Sequence, residues 1–75
     1  MPLTELQPNQ IAQVVQLNGG RRFQARLASM GLLAGSQIEV IQTSLYGAIL
    51  IAVGTTRLGI GQNMAKRIMI KTLKS

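Results

Sequence analysis

The sequence predicts a mainly β fold, a small barrel of about five strands with one short helix after the first strand. Three observations predict it. Short apolar runs in near-alternation with polar residues recur along the chain, as they do in half-buried strands. Only one stretch, Arg21 to Met30, carries apolar residues at helical spacing. The chain has 75 residues and no internal repeat, linker or low-complexity segment, so residues 1–75 are expected to form a single domain.

Leu3 to Pro8 reads as an entry turn, with Leu6 packing inward and Pro8 blocking a long helix. Gln10 to Leu17 is strand-like, with Ile11, Val15 and Leu17 on one side and Val14 on the other. Asn18-Gly19-Gly20 breaks this strand. In the helix from Arg21 to Met30, the spacing of Phe23, Leu27 and Met30 gathers them on one buried stripe. Gly31 stands where a left-handed C-terminal cap belongs. So short a helix does not hold alone and must lean on the sheet.

Leu32 and Leu33 lead into an Ala34-Gly35 turn, and the rest is β. Gln37 to Thr43 carries Ile38 and Val40 on one face, Glu39 and Ile41 on the other. Leu45-Tyr46-Gly47 reads as a loop, and Ala48 to Val53 as the next strand. Gly54-Thr55-Thr56 turns the chain into a strand from about Arg57 to Ile60. Gly61-Gln62-Asn63 opens one helical turn through Lys66. Arg67 to Thr72 closes the set, with Ile68 and Ile70 inward and Arg67, Met69 and Lys71 outward. Closure into a barrel removes exposed strand edges. The early helix favours an SH3-like barrel over an OB-fold, whose helix falls later, between the third and fourth strands.

Composition bears on function mainly by what it lacks. There is no cysteine or histidine, so disulfides and the usual zinc and soft-metal ligands are excluded. Glu5 and Glu39 are the two carboxylates, too few for an acidic metal cage or an acid–base pair. No histidine is present to activate a serine or threonine. The expectation is therefore a binding module with no catalytic residues, no cofactor and no metal of its own. Met30, Met64 and Met69 do not change this, because thioethers suit Cu(I) rather than ferrous iron.

Eight basic against two acidic residues give a formal net charge of +6. Such a charge can steer the chain to an acidic protein, a nucleic acid or an anionic surface, or can serve solubility alone. The start of the chain lacks the features of a signal peptide, and the apolar run Ala48 to Val53 falls far short of the ~20 residues that span a bilayer. A soluble, cytoplasmic protein without direct membrane insertion is expected.

The stretch Leu27-Ala28-Ser29-Met30-Gly31-Leu32-Leu33-Ala34-Gly35-Ser36-Gln37-Ile38-Glu39-Val40 resembles the signature of the FeoA family. That signature is a leucine, two residues, Leu-Gly, two residues, Pro-Gly and a strand of alternating valine-like residues. Leu6, Pro8 and Arg67-Ile68-Met69-Ile70 also fall where the family has similar residues. Met30 replaces the usual leucine, Ala34 stands where proline is common, and Ser44 to Ile49 departs from the family's Pro-Leu-Gly-Asp-Pro-Ile loop. The resemblance implies an SH3-like fold and a role in bacterial ferrous iron uptake. It also implies a partner, FeoB, the membrane transporter with a cytoplasmic GTP-binding domain. A similar barrel ends the DtxR-type iron-dependent repressors, where it makes protein contacts.

Five residues are candidates for the partner contact: Arg22, Arg26, Leu45, Tyr46 and Leu50. Arg22 and Arg26 lie side by side on the helix, fitting either a solvated face or an acidic partner surface. Leu50 faces outward with Ala48 and Ala52, where the chain's own helix or loop, a partner or a second copy must cover it. Leu45 and Tyr46 fit a contact loop, since a loop aromatic offers large area at low entropic cost, or a plug for one barrel end. Two other readings stand beside transporter docking. One is a small basic barrel binding RNA or DNA, against which the low aromatic content argues. The other is a weak homo-oligomer assembled through the apolar outer strand.

Overall fold

The computed structural model describes residues 1–43 and 47–73. A short 3₁₀ turn, Leu3–Glu5, leads to β1 (Ile11–Leu17), α1 (Arg21–Ser29), β2 (Gln37–Thr43) and β3 (Ile49–Val53). β4 (Thr56–Ile60), α2 (Gln62–Ala65) and β5 (Ile68–Thr72) complete the order. The five strands form one antiparallel sheet in the order β4-β3-β2-β1-β5. The mainly β class, the five strands and the helix after the first strand are those the sequence predicts.

Alternation decides which side chains enter the core. Ile38 and Val40 of β2, Ile49 and Ile51 of β3, and Ile68 and Ile70 of β5 are buried on one face of the sheet. Leu3, Leu6, Leu27, Leu32, Ile60 and Ala65 close over them. Fully burying one such aliphatic side chain contributes about 1.5–3 kcal/mol. No polar or charged residue is buried among the described residues.

β1 departs from simple alternation. Ala12 and Val14 are buried, whereas Val15 is 48% exposed. The cause is a bulge: Val14 pairs with Ile70 and Gln16 with Met69, so β1 advances two residues while β5 advances one. Val15 is the extra residue, and Val14 and Leu17 come to face the same side, opposite Ile70 and Ile68. The expected grouping of Val15 with Leu17 is thereby broken. A second register shift between Val40 and Gln42 displaces Ile41 in β2.

The closed barrel expected from the sequence is also corrected, because the hydrogen-bonded sheet stays open between β4 and β5. α2 fills the connection between these strands, and the N-terminus occupies the outer edge of β5. The Met1 ammonium donates to the Ile70 carbonyl at 3.1 Å, and Ile70 N–H donates to the Met1 carbonyl at 2.7 Å. A bridge between Pro2 and Met69 continues this pairing. One sheet edge is covered in this way, and no described strand pairs with the outer edge of β4.

Candidate functional site

α1 owes its position to both ends. Gln24 Nε2 donates to the Leu17 and Gly19 carbonyls at 3.3 and 3.1 Å, tying the first turn to the end of β1. At the other end Gly31 adopts φ +87°, Leu32 N–H donates to the Leu27 carbonyl, and Gly31 N–H donates to that of Ala28. This is the double hydrogen bond of a Schellman motif, with Leu27 and Leu32 both buried beneath it. Leu27 enters the core, while Phe23 and Met30 pack against it half-buried.

That anchoring leaves Arg21, Arg22 and Arg26 exposed. Gly20, the N-cap, supplies no side-chain hydrogen bond, and no acidic residue lies in the first turn. The helix therefore presents basic side chains beside unneutralised N–H groups, a surface suited to anionic side chains. Arg67 joins α1 from across the fold: its guanidinium carbon lies 5.5 Å from the centroid of the Phe23 ring. Its carbonyl accepts from Asn18 N–H at 2.7 Å, fixing the backbone there. The sequence places Arg67 in a strand and gives no signal for this stacking, since the two residues are brought together only by the β1–β5 pairing. Phe23 is half-buried and already covered on one face, so it is a poor stacking platform for a base.

Leu50 lies on the outer face of β3, half-buried, between Gln42 of β2 and Gly59 of β4. With Ala48 these residues line a shallow, mostly apolar depression of about 230 Å³. Further along the same face Ile11, Glu39, Ala52 and Arg57 form a row across four strands. Leu45 and Tyr46 lie outside the described residues. Arg22 and Arg26 on α1 and Leu50 on the sheet belong to different elements, and no hydrogen bond links them among the described residues. Two exposed apolar residues outside the sequence-derived candidates are Val15 and Leu33, the latter 52% exposed. The bulge accounts for Val15, and the loop holding Leu33 is fixed by Leu33 N–H donating to Ser36 Oγ at 3.0 Å.

No described helix is long and apolar enough to cross a membrane. The family model for the FeoA domain matches residues 1–72. A crystal structure of an iron uptake regulatory protein (FeoA) is 38% identical, covering 97% of this chain and 96% of that one, with a TM-score of 0.89. Stenotrophomonas maltophilia FeoA, solved with zinc and described as a prokaryotic SH3 domain protein, is 24% identical. That match covers 95% of this chain and 89% of the other at a TM-score of 0.79, and supports an SH3-like fold. The manganese regulator SloR is 14% identical, matching 97% of this chain to 34% of its own at a TM-score of 0.86, a likeness of fold alone. No curated protein matches the sequence.

Proposed function

The chain belongs to the FeoA family, and from that premise we propose that it is a cytoplasmic accessory module of ferrous iron uptake with no chemistry of its own. It acts by docking on the cytoplasmic GTP-binding domain of a FeoB-type membrane transporter. The observation that carries this reading is the end-to-end match, at 38% identity, to an iron uptake regulatory protein. The exposed arginines of α1 support it physically, because a basic helix face complements an acidic partner surface and speeds encounter. Docking shifts the transporter only if the module binds one conformation of its domain more tightly than another. Arg22, Arg26, Leu45, Tyr46 and Leu50 are the proposed contacts.

The test is a titration of the chain against the cytoplasmic part of the transporter, with and without guanine nucleotide. Binding whose affinity depends on the nucleotide supports the proposal. No binding in any nucleotide state, at moderate salt and high concentration, refutes it.

A further inference from the structure

The free edge of β4 has a chemistry that can be read residue by residue. β3 and β4 are joined by the two-residue turn Gly54-Thr55, with Gly54 at φ +60° and Val53 paired to Thr56. In a two-residue hairpin the closing pair exchanges both of its hydrogen bonds, and such pairs then alternate with open ones. Thr56, Leu58 and Ile60 therefore direct their N–H and C=O groups at β3. Arg57 and Gly59 direct theirs away from the sheet, and neither makes another backbone hydrogen bond among the described residues. The opposite edge of the sheet, at Ile70, is already taken by Met1.

The side chains beside this edge are equally specific. Arg57 and Gly59 lie on the outer face of the sheet, and both are exposed. A Cβ on Gly59 would meet nothing within 4 Å, so the surface above it is open. That surface leads to the apolar depression lined by Gln42, Ala48, Leu50 and Gly59. An added antiparallel strand would thus meet an apolar hollow at Gly59 and a guanidinium two residues away.

We propose that the β4 edge takes up an extended segment of another protein as a sixth strand, and that this segment carries an apolar residue followed two positions later by a carboxylate. The apolar side chain lies opposite Gly59 and enters the depression beside Leu50. The carboxylate lies opposite Arg57, at the roughly 5.5 Å Cα separation of a hydrogen-bonded antiparallel pair. Four backbone hydrogen bonds, from the N–H and C=O groups of Arg57 and Gly59, hold the strand in register. Charge favours this occupant over a second copy of the chain, because each copy carries a net +6 and β4 has no carboxylate to set opposite Arg57. The inference shares Leu50 with the transporter reading but uses none of the α1 arginines, and its peptide test involves no transporter, so either can fail without the other.

The probe is a capped peptide, Thr-Val-Thr-Leu-Thr-Glu-Thr-Val-Thr, titrated into the full chain and followed by amide NMR. The expected result is a shift of the Arg57 and Gly59 amides and at least tenfold slower hydrogen exchange at both. Replacing the peptide's glutamate by lysine is expected to weaken binding at least fivefold, and R57E to reverse that preference. Gly59→Val, which fills the hollow from an open position, is expected to weaken binding of the leucine peptide. Absence of any change along β4, or equal binding of the glutamate and lysine peptides, overturns the proposal. So does concentration-dependent dimerisation through β4 without peptide, which would make a second copy the occupant.

Discussion

Arg67 lies over the ring of Phe23, 5.5 Å from its centroid, and the same ring closes off the space beside Gly19. A Cβ on Gly19 would collide with the Phe23 side chain, whereas one on Gly20 would meet nothing. One half-buried ring thus joins α1, the loop before it and the turn that leads into β5. R67A is expected to cost about 0.5–1 kcal/mol, the usual worth of an exposed cation–π contact. G19A is expected to cost about 1–3 kcal/mol by overpacking, and G20A far less. Urea unfolding of the three variants decides the matter, and equal stability of G19A and G20A would show that the ring yields freely.

Gly31 closes α1 in the left-handed region. Gly31→Ala is expected to lose about 1–2 kcal/mol, the penalty of placing a Cβ there. Gly31→Asn should lose distinctly less, since asparagine visits this conformation more readily. Thermal melts of the pair separate a backbone cause from a packing one, because a Cβ at Gly31 has open space around it.

The bulge in β1 makes neighbouring valines unequal. Val14 is fully buried and Val15 is 48% exposed. Val14→Thr is expected to cost about 1–3 kcal/mol for a hydroxyl buried without a partner. Val15→Thr should stay within about 0.5 kcal/mol of the parent. The reverse order in denaturant midpoints would place the bulge elsewhere.

For docking, charge reversal at Arg22 and Arg26 together is expected to slow association with the transporter's cytoplasmic part about tenfold at low salt. The difference should shrink as salt rises, because exposed charges are screened. Stopped-flow measurement across a salt series checks this, and an unchanged rate would return the two arginines to the role of a solvated face.

Replacing Leu45 and Tyr46 by alanine is expected to weaken the same complex about tenfold or more, as truncation of an anchoring aromatic does. Calorimetric titration of the folded double variant is the measure. Undiminished affinity would remove this pair from the contact.

Local chemistry carried much of the fold into the sequence. Gly31 after Met30 marked the end of α1, and the spacing of Phe23, Leu27 and Met30 marked its buried side. Ile38 and Val40, Ile49 and Ile51, and Ile68 and Ile70 announced their inward faces by alternation alone. The charge of +6 was likewise plain, as was the FeoA signature from Leu27 to Val40. Period, propensity and composition act over a few residues, and one chain records them directly.

The remaining features depend on which distant segments meet. Val15 turned outward because β1 and β5 pair with a one-residue excess, a register that neither strand encodes alone. Arg67 reached Phe23 for the same reason. The sheet is open between β4 and β5, and it is Met1, from the far end of the chain, that holds the edge of β5. The candidate site followed suit: the sequence named exposed arginines and an outward leucine, while tertiary pairing set Leu50 beside Gly59 and left the edge of β4 unpaired among the described residues. Side-chain character is a local property, but an edge, a bulge or a stacked pair exists only once strands far apart in the chain have found their register.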